Sequence, residues 1–144
     1  MLINEFINLY LILEEDITTK SALIRLLDNE EVSKEELFEL AKNKNLTVRK
    51  AVAKNAITSK EIFEVLAKDK NWEVREAVAK NLNVSKETLE LLAKDEDYLV
   101  RSRVAENPNT PKEILEFLAK DKSSYVRASV AENLSAPKEI LEIL

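Results

Sequence analysis

The sequence predicts an all-α protein, an α-solenoid in which 26-residue helix-turn-helix units stack side by side. Three observations predict it. Arg49, Arg75, Arg101 and Arg127 stand at a constant spacing of 26 residues. The same step separates Asn55, Asn81, Asn107 and Asn133, as well as Lys34, Lys60, Lys86, Lys112 and Lys138, and brings VRKAVAKN, VREAVAKN, VRSRVAEN and VRASVAEN into one register. The chain has no Gly and three Pro, a composition that favours helix. A fixed period of this length marks a linear stack, each unit contacting its neighbours, and not a globule around one active site.

Taken in order, the first 33 residues read as a degenerate capping unit. ALIRLLDN (22–29) aligns with VRKAVAKN and keeps the Asn as Asn29, but Leu23 replaces the Arg. The start, MLINEFINLYLILEED, is apolar for about a dozen residues, without the basic flank or cleavage site of a signal peptide. It is too short to cross a bilayer, and Glu5 interrupts it. It reads as a buried capping helix, with an oligomer contact as the alternative. A cytoplasmic protein without membrane association is expected.

Four tandem units follow, 34–59, 60–85, 86–111 and 112–137, and then a C-terminal half repeat, so that 34–144 forms one continuous stack. The second unit serves as the specimen. In its first helix, from Lys60, the residues Ile62, Phe63, Leu66 and Ala67 make an apolar stripe. Val65 widens it, so that this helix is expected to be covered on two sides. Glu64 with Lys68, Glu90 with Lys94 and Glu116 with Lys120 are spaced as i,i+4 pairs. Thr58 with Glu61 and Thr110 with Glu113 are spaced as capping boxes, with Pro111 at the first helical position, and Ser33 with Glu36 gives the same pattern one residue later. The second helix, from Trp72, turns Val74, Ala77 and Val78 inward, and Ala79 permits close approach. Asp69 at the intervening corner is expected to cap it.

Each repeated column has a structural and a functional reading. Without Gly, Asn is the residue best suited to end a helix in the left-handed conformation, so the Asn column is expected to close the second helices; a row of amides binding an extended peptide is the alternative. Asp69, Asp95 and Asp121 each precede an Arg by six residues. The Arg column is expected to bond those carboxylates, or open carbonyls of the adjacent unit, and to bridge the stack. Its functional alternative is a stripe of anion contacts roughly 30 Å long.

Composition narrows the chemistry. There is no Cys, no His and no Gly, which removes disulfides, thiolate and imidazole ligands, the usual general base and glycine-dependent phosphate loops. The net charge is −5; residues 1–33 carry 2 basic and 7 acidic side chains, whereas 34–59 carry 6 and 3. That balance argues against nucleic acid as a partner, apart from a local basic face near Lys42, Lys44, Arg49, Lys50 and Lys54.

LAKDEDYLVRSRVAENPNTPKEILEFLAKD, above all NPNTP at 107–111, resembles the leucine-rich repeat variant family across roughly 34–144. The resemblance implies a right-handed superhelix without strands, in which α-helices alternate with short α or 3-10 helices, similar in logic to HEAT and armadillo stacks. It supplies no function.

Comparison among the units separates frame from variable positions. Leu40, Leu66, Leu92 and Leu118 are one frame column, and Val48, Val74, Val100 and Val126 another. The variable sets are Leu46, Trp72, Tyr98 and Ser124; Thr47, Glu73, Leu99 and Tyr125; Lys50, Glu76, Ser102 and Ala128; and Lys54, Lys80, Glu106 and Glu132. The expected function is a non-enzymatic scaffold for protein or peptide partners, with Trp72, Tyr98, Tyr125 and Arg103 as candidate binding residues. Nucleic-acid or phosphate binding along the Arg stripe is the alternative. Glu35, Glu61, Glu87, Glu113 and Glu139 read as capping residues, and no catalytic, metal or cofactor site is expected. The C-terminal helix ends apolar at Leu144, which allows self-association there.

Overall fold

The structure is a computed structural model describing residues 17–27 and 30–144, with side chains from Ser21 onward. The apolar N-terminal stretch and Asn29, and with them most of the expected capping unit, lie outside the described residues. Ten helices and no strand are present among those described. They are α1 (Ile17–Leu27), α2 (Lys34–Ala41), α3 (Leu46–Lys54), α4 (Lys60–Leu66), α5 (Trp72–Lys80), α6 (Lys86–Leu92), α7 (Tyr98–Glu106), α8 (Lys112–Leu118), α9 (Ser124–Glu132) and α10 (Lys138–Leu141).

The first helices span 7 or 8 residues and the second helices 9, lengths that are marginal in isolation and must be held by packing. The second helices α3, α5, α7 and α9 pack directly on one another, and each first helix wedges against its own second helix and the preceding one. Ala53, Ala79 and Ala105 are fully buried between layers, where a larger side chain would hold the backbones apart. One apolar cluster runs unbroken from Ala22 to Ile140, through Phe63, Leu66, Leu92 and Leu118.

Helix starts differ in detail from the sequence reading. The capping box forms at Ser33–Glu36, whose side chains exchange bonds with each other's backbone N–H. Thr58 and Thr110 make no box. Their buried hydroxyls instead donate to Val52 O (2.7 Å) and Val104 O (2.6 Å), a second bond to carbonyls that already accept from Asn55 N–H and Asn107 N–H. Pro111 stands at the cap position, one residue before the helix. At the corners Asn45, Asn71 and Asp97 cap the second helices, each accepting from the N–H two residues on at 2.8 Å. Asp69 is not the cap; it accepts from Asn71 N–H, so two Asx turns in succession build the corner. Of the spaced charge pairs, Glu90–Lys94 forms (3.8 Å), Glu116 turns to Lys112 instead (3.7 Å), and Glu64 has no ion pair among the described residues.

The Asn column closes the second helices in an unexpected way. Asn55, Asn81, Asn107 and Asn133 are extended, with φ between −80° and −66°, and not left-handed. Each works through its side chain. Oδ1 accepts from the N–H two residues later, as in Asn107 to Asn109 (2.9 Å). Nδ2 reaches back one layer: Asn107 donates to Ala79 O (2.8 Å) and Asn81 O (3.1 Å), and Asn133 to Ala105 O (2.6 Å) and Asn107 O (3.2 Å). Asn55 does the same to Leu26 O of α1 (3.0 Å), which joins α1 to the stack. The amide carries its donor and its acceptor on separate atoms, whereas an ionised Asp has no donor to offer the previous layer.

Replacing Asn107 with Ala is expected to lower the unfolding free energy by about 1–3 kcal/mol, the penalty of buried groups left unbonded. Asn83→Ala, which removes one exposed bond to Ala56 O, is expected to cost less than about 0.5 kcal/mol. Urea titration followed by circular dichroism checks both.

Candidate functional site

The corners between first and second helices carry the repeated charges and the exposed aromatic residues. Beneath the surface Arg49, Arg75 and Arg101 each clasp the next layer. Arg49 meets Asp69 through Nε–Oδ2 (2.7 Å) and Nη2–Oδ1 (3.2 Å); Arg75 with Asp95 and Arg101 with Asp121 repeat this at 2.7 and 3.0 Å. The remaining Nη1 donates to a carbonyl of the Arg's own corner: Asn43 O, Asp69 O and Asp95 O, at 2.8–2.9 Å. The sequence reading thus had the partners reversed. The carboxylate comes from the following layer, 20 residues on, and the residue six positions earlier contributes its carbonyl.

These guanidinium groups are 5–8% exposed and bidentate to buried carboxylates. A stripe of free anion contacts is therefore absent at Arg49, Arg75 and Arg101. The hydrogen bonds that Arg75 donates to Asp95 raise its pKa, and those that Arg101 donates to Asp121 raise that of Arg101. Burial pushes the Asp121 carboxyl up, but the Arg101 hydrogen bond, the Ser123 N–H and the nearby Arg101 and Lys122 charges outweigh it and hold it below the ordinary carboxylate range. Arg127 donates to Asp121 O (2.7 Å) and has no carboxylate partner among the described residues. At the other end Leu23 stands in the Arg column and Asn43 in the Asp column, so that both halves of the clasp are lost together. Arg25 takes over there, pairing with Glu36 and donating to Glu31 O (2.9 Å).

Above the clasps Trp72, Tyr98 and Tyr125 lie at the N-termini of α5, α7 and α9. They are 37%, 41% and 69% exposed. Tyr98 and Tyr125 meet across adjacent layers, with ring centroids 5.6 Å apart and tilted by 34°. Arg103 stands away from them on α7. Its Nε donates to Glu76 Oε1 (2.7 Å) and its Nη1 to Glu106 Oε2 (2.6 Å), so it is already occupied by two carboxylates.

The sequence reading missed a second apolar row. Val65, Leu91, Phe117 and Ile143, in register at 26 residues, are 43–59% exposed, and Val65 is not covered. The first helices wedge against second helices, and this column lies exposed among the described residues. Phe117 lines an open groove of about 760 Å³ with Ala93, Lys94 and Lys120. The period was the available signal, since each of these residues precedes Leu66, Leu92, Leu118 or Leu144.

Among the described residues no group of acidic side chains is arranged to hold a metal ion, and no helix is long and apolar enough to cross a membrane. Residues 61–84, most of the second unit, are similar to the HEAT repeat. No curated protein and no solved structure matches the chain. The stacked helix pairs make the described region a helical-repeat solenoid, one unit of which is similar to the HEAT repeat.

Because the Asp121 carboxyl is depressed in the folded protein, the unfolded chain takes up its proton at higher pH. Its stabilising contribution is complete above the ordinary Asp value of 3.8 and is lost as pH falls through the lowered value. Urea midpoints measured between neutral and acidic pH are expected to fall more steeply for wild type than for Asp121→Asn.

Proposed function

We propose that the chain is a non-enzymatic scaffold that binds a protein or peptide along the ridge of Trp72, Tyr98 and Tyr125. The observation that carries this reading is that three large aromatic side chains at variable positions stay exposed on a frame that packs every constant apolar column inside. The exposed part of each Trp or Tyr offers the contact area on which hot spots are built. The similarity to the HEAT repeat supports it, since repeats of that kind generally serve as scaffolds for protein interactions. Rigid clasps below the ridge hold the aromatics at fixed spacing, which limits the ordering cost of binding.

In this reading residues 1–33 cap the stack and 34–144 present the surface. The leucine-rich repeat variant resemblance and a cytoplasmic location belong to the same proposal. Arg103 serves here as a link between α5 and α7, and the three aromatics carry recognition.

Affinity capture from native lysate with wild-type bait and with Trp72→Ala, Tyr98→Ala and Tyr125→Ala tests it. Each truncation is expected to weaken the complex by about tenfold or more, with helical circular dichroism unchanged. Equal capture by the triple variant refutes the ridge, and unfolding of the variants assigns the aromatics to the frame.

A further inference from the structure

The last residues of the second helices form a row along the opposite edge of the stack. Lys54 ends α3, Lys80 ends α5, Glu106 ends α7 and Glu132 ends α9, and all four are exposed. Lys54, Lys80 and Glu132 have no hydrogen-bond or ion-pair partner among the described residues. Glu106 is partly occupied, by Arg103 Nη1 and the Ser129 hydroxyl. The two glutamates stand where a helix C-terminus disfavours negative charge. No basic residue in the last turn of α9 offsets Glu132, so stability of the single chain does not account for it.

The order of charge is plus, plus, minus, minus. Read in the opposite direction it is its own complement. Two copies laid antiparallel set Lys54 against Glu132 and Lys80 against Glu106, each twice, whereas parallel copies set like against like. Beside the charges runs a second exposed row, Ala56, Leu82, Pro108 and Leu134, in which Leu82 is 59% and Leu134 103% exposed. With neighbouring helices 8–10 Å apart the two rows extend roughly 30 Å, long enough for an interface of about 800 Å² per partner.

We propose that this edge is a two-fold dimer interface, occupied by a second copy of the chain in antiparallel orientation. The charges set orientation and register, and the apolar row supplies the contact area. Such an isologous contact closes at two copies. Asp28 holds the same column one step earlier in the sequence and lies outside the described residues. The edge lies at the opposite ends of the second helices from the aromatic ridge, so the proposal stands or falls independently of the scaffold reading.

Size-exclusion chromatography of the full chain with light scattering tests it. At about 0.01 M salt the wild type is expected at twice the monomer mass, falling to the monomer mass at about 1 M, as the screening length drops from ~30 Å to ~3 Å. Lys54→Glu combined with Lys80→Glu makes the row acidic throughout and is expected to stay monomeric at low salt. Neither lysine has a hydrogen-bond or ion-pair partner among the described residues, so helical circular dichroism is expected to be unchanged. Adding Glu106→Lys and Glu132→Lys reverses the whole row and is expected to restore the dimer. A wild type that is monomeric at low salt overturns the proposal, as does a folded fourfold variant that stays monomeric. A dimer that survives the two lysine changes also overturns it and moves self-association to another face, such as the exposed Leu141, Ile143 and Leu144.

Discussion

Every second helix ends with carbonyl groups that its own turn cannot satisfy, and the architecture depends on how they are closed. A chain without glycine has poor access to the left-handed backbone that commonly ends a helix. Here the closing group comes from elsewhere. The amide of the next Asn bonds Ala79 O and Asn81 O, or Ala105 O and Asn107 O. Helix termination, a local problem in most proteins, becomes a contact between layers. The period of 26 residues is the chain length needed to bring the next amide over the previous helix end.

The Arg–Asp clasps complement this. A buried ion pair offers little net stability over a well-packed apolar contact, but misplacing one half leaves a charge uncompensated. Arg75 fits Asp95 by two parallel bonds and fixes itself to Asp69 O with a third. A layer shifted by one residue would lose both bonds to the carboxylate and leave two buried charges unpaired. Apolar packing of Val74, Val78 and their equivalents supplies cohesion, and the clasps and amides select one register.

The stack was legible because its signals are periodic: the Leu and Val columns, the helix lengths and the inward faces follow from residue type and spacing alone. What escaped was direction across layers. The six-residue interval from Asp69 to Arg75 looked local, whereas the carboxylate partner of Arg75 lies 20 residues further on, at Asp95, in a unit whose placement spacing does not reveal. Asn was assigned a backbone role because propensity describes single helices, and its two-sided side chain matters only once layers meet. Val65 looked buried because an apolar residue beside Leu66 continues a stripe; its exposure depends on what the outer side of the first helix faces. For the ridge, sequence variation marked Trp72, Tyr98 and Tyr125, but not that Tyr98 and Tyr125 stack against each other.

The backward reach of the amides gives the stack a polarity in time. A chain leaving the ribosome completes each second helix before the residue that closes it has been made. The newest layer therefore waits with bare acceptors until the next Asn arrives, and each arrival seals the layer before it. The stack therefore closes in one direction, each layer sealed by the one made after it.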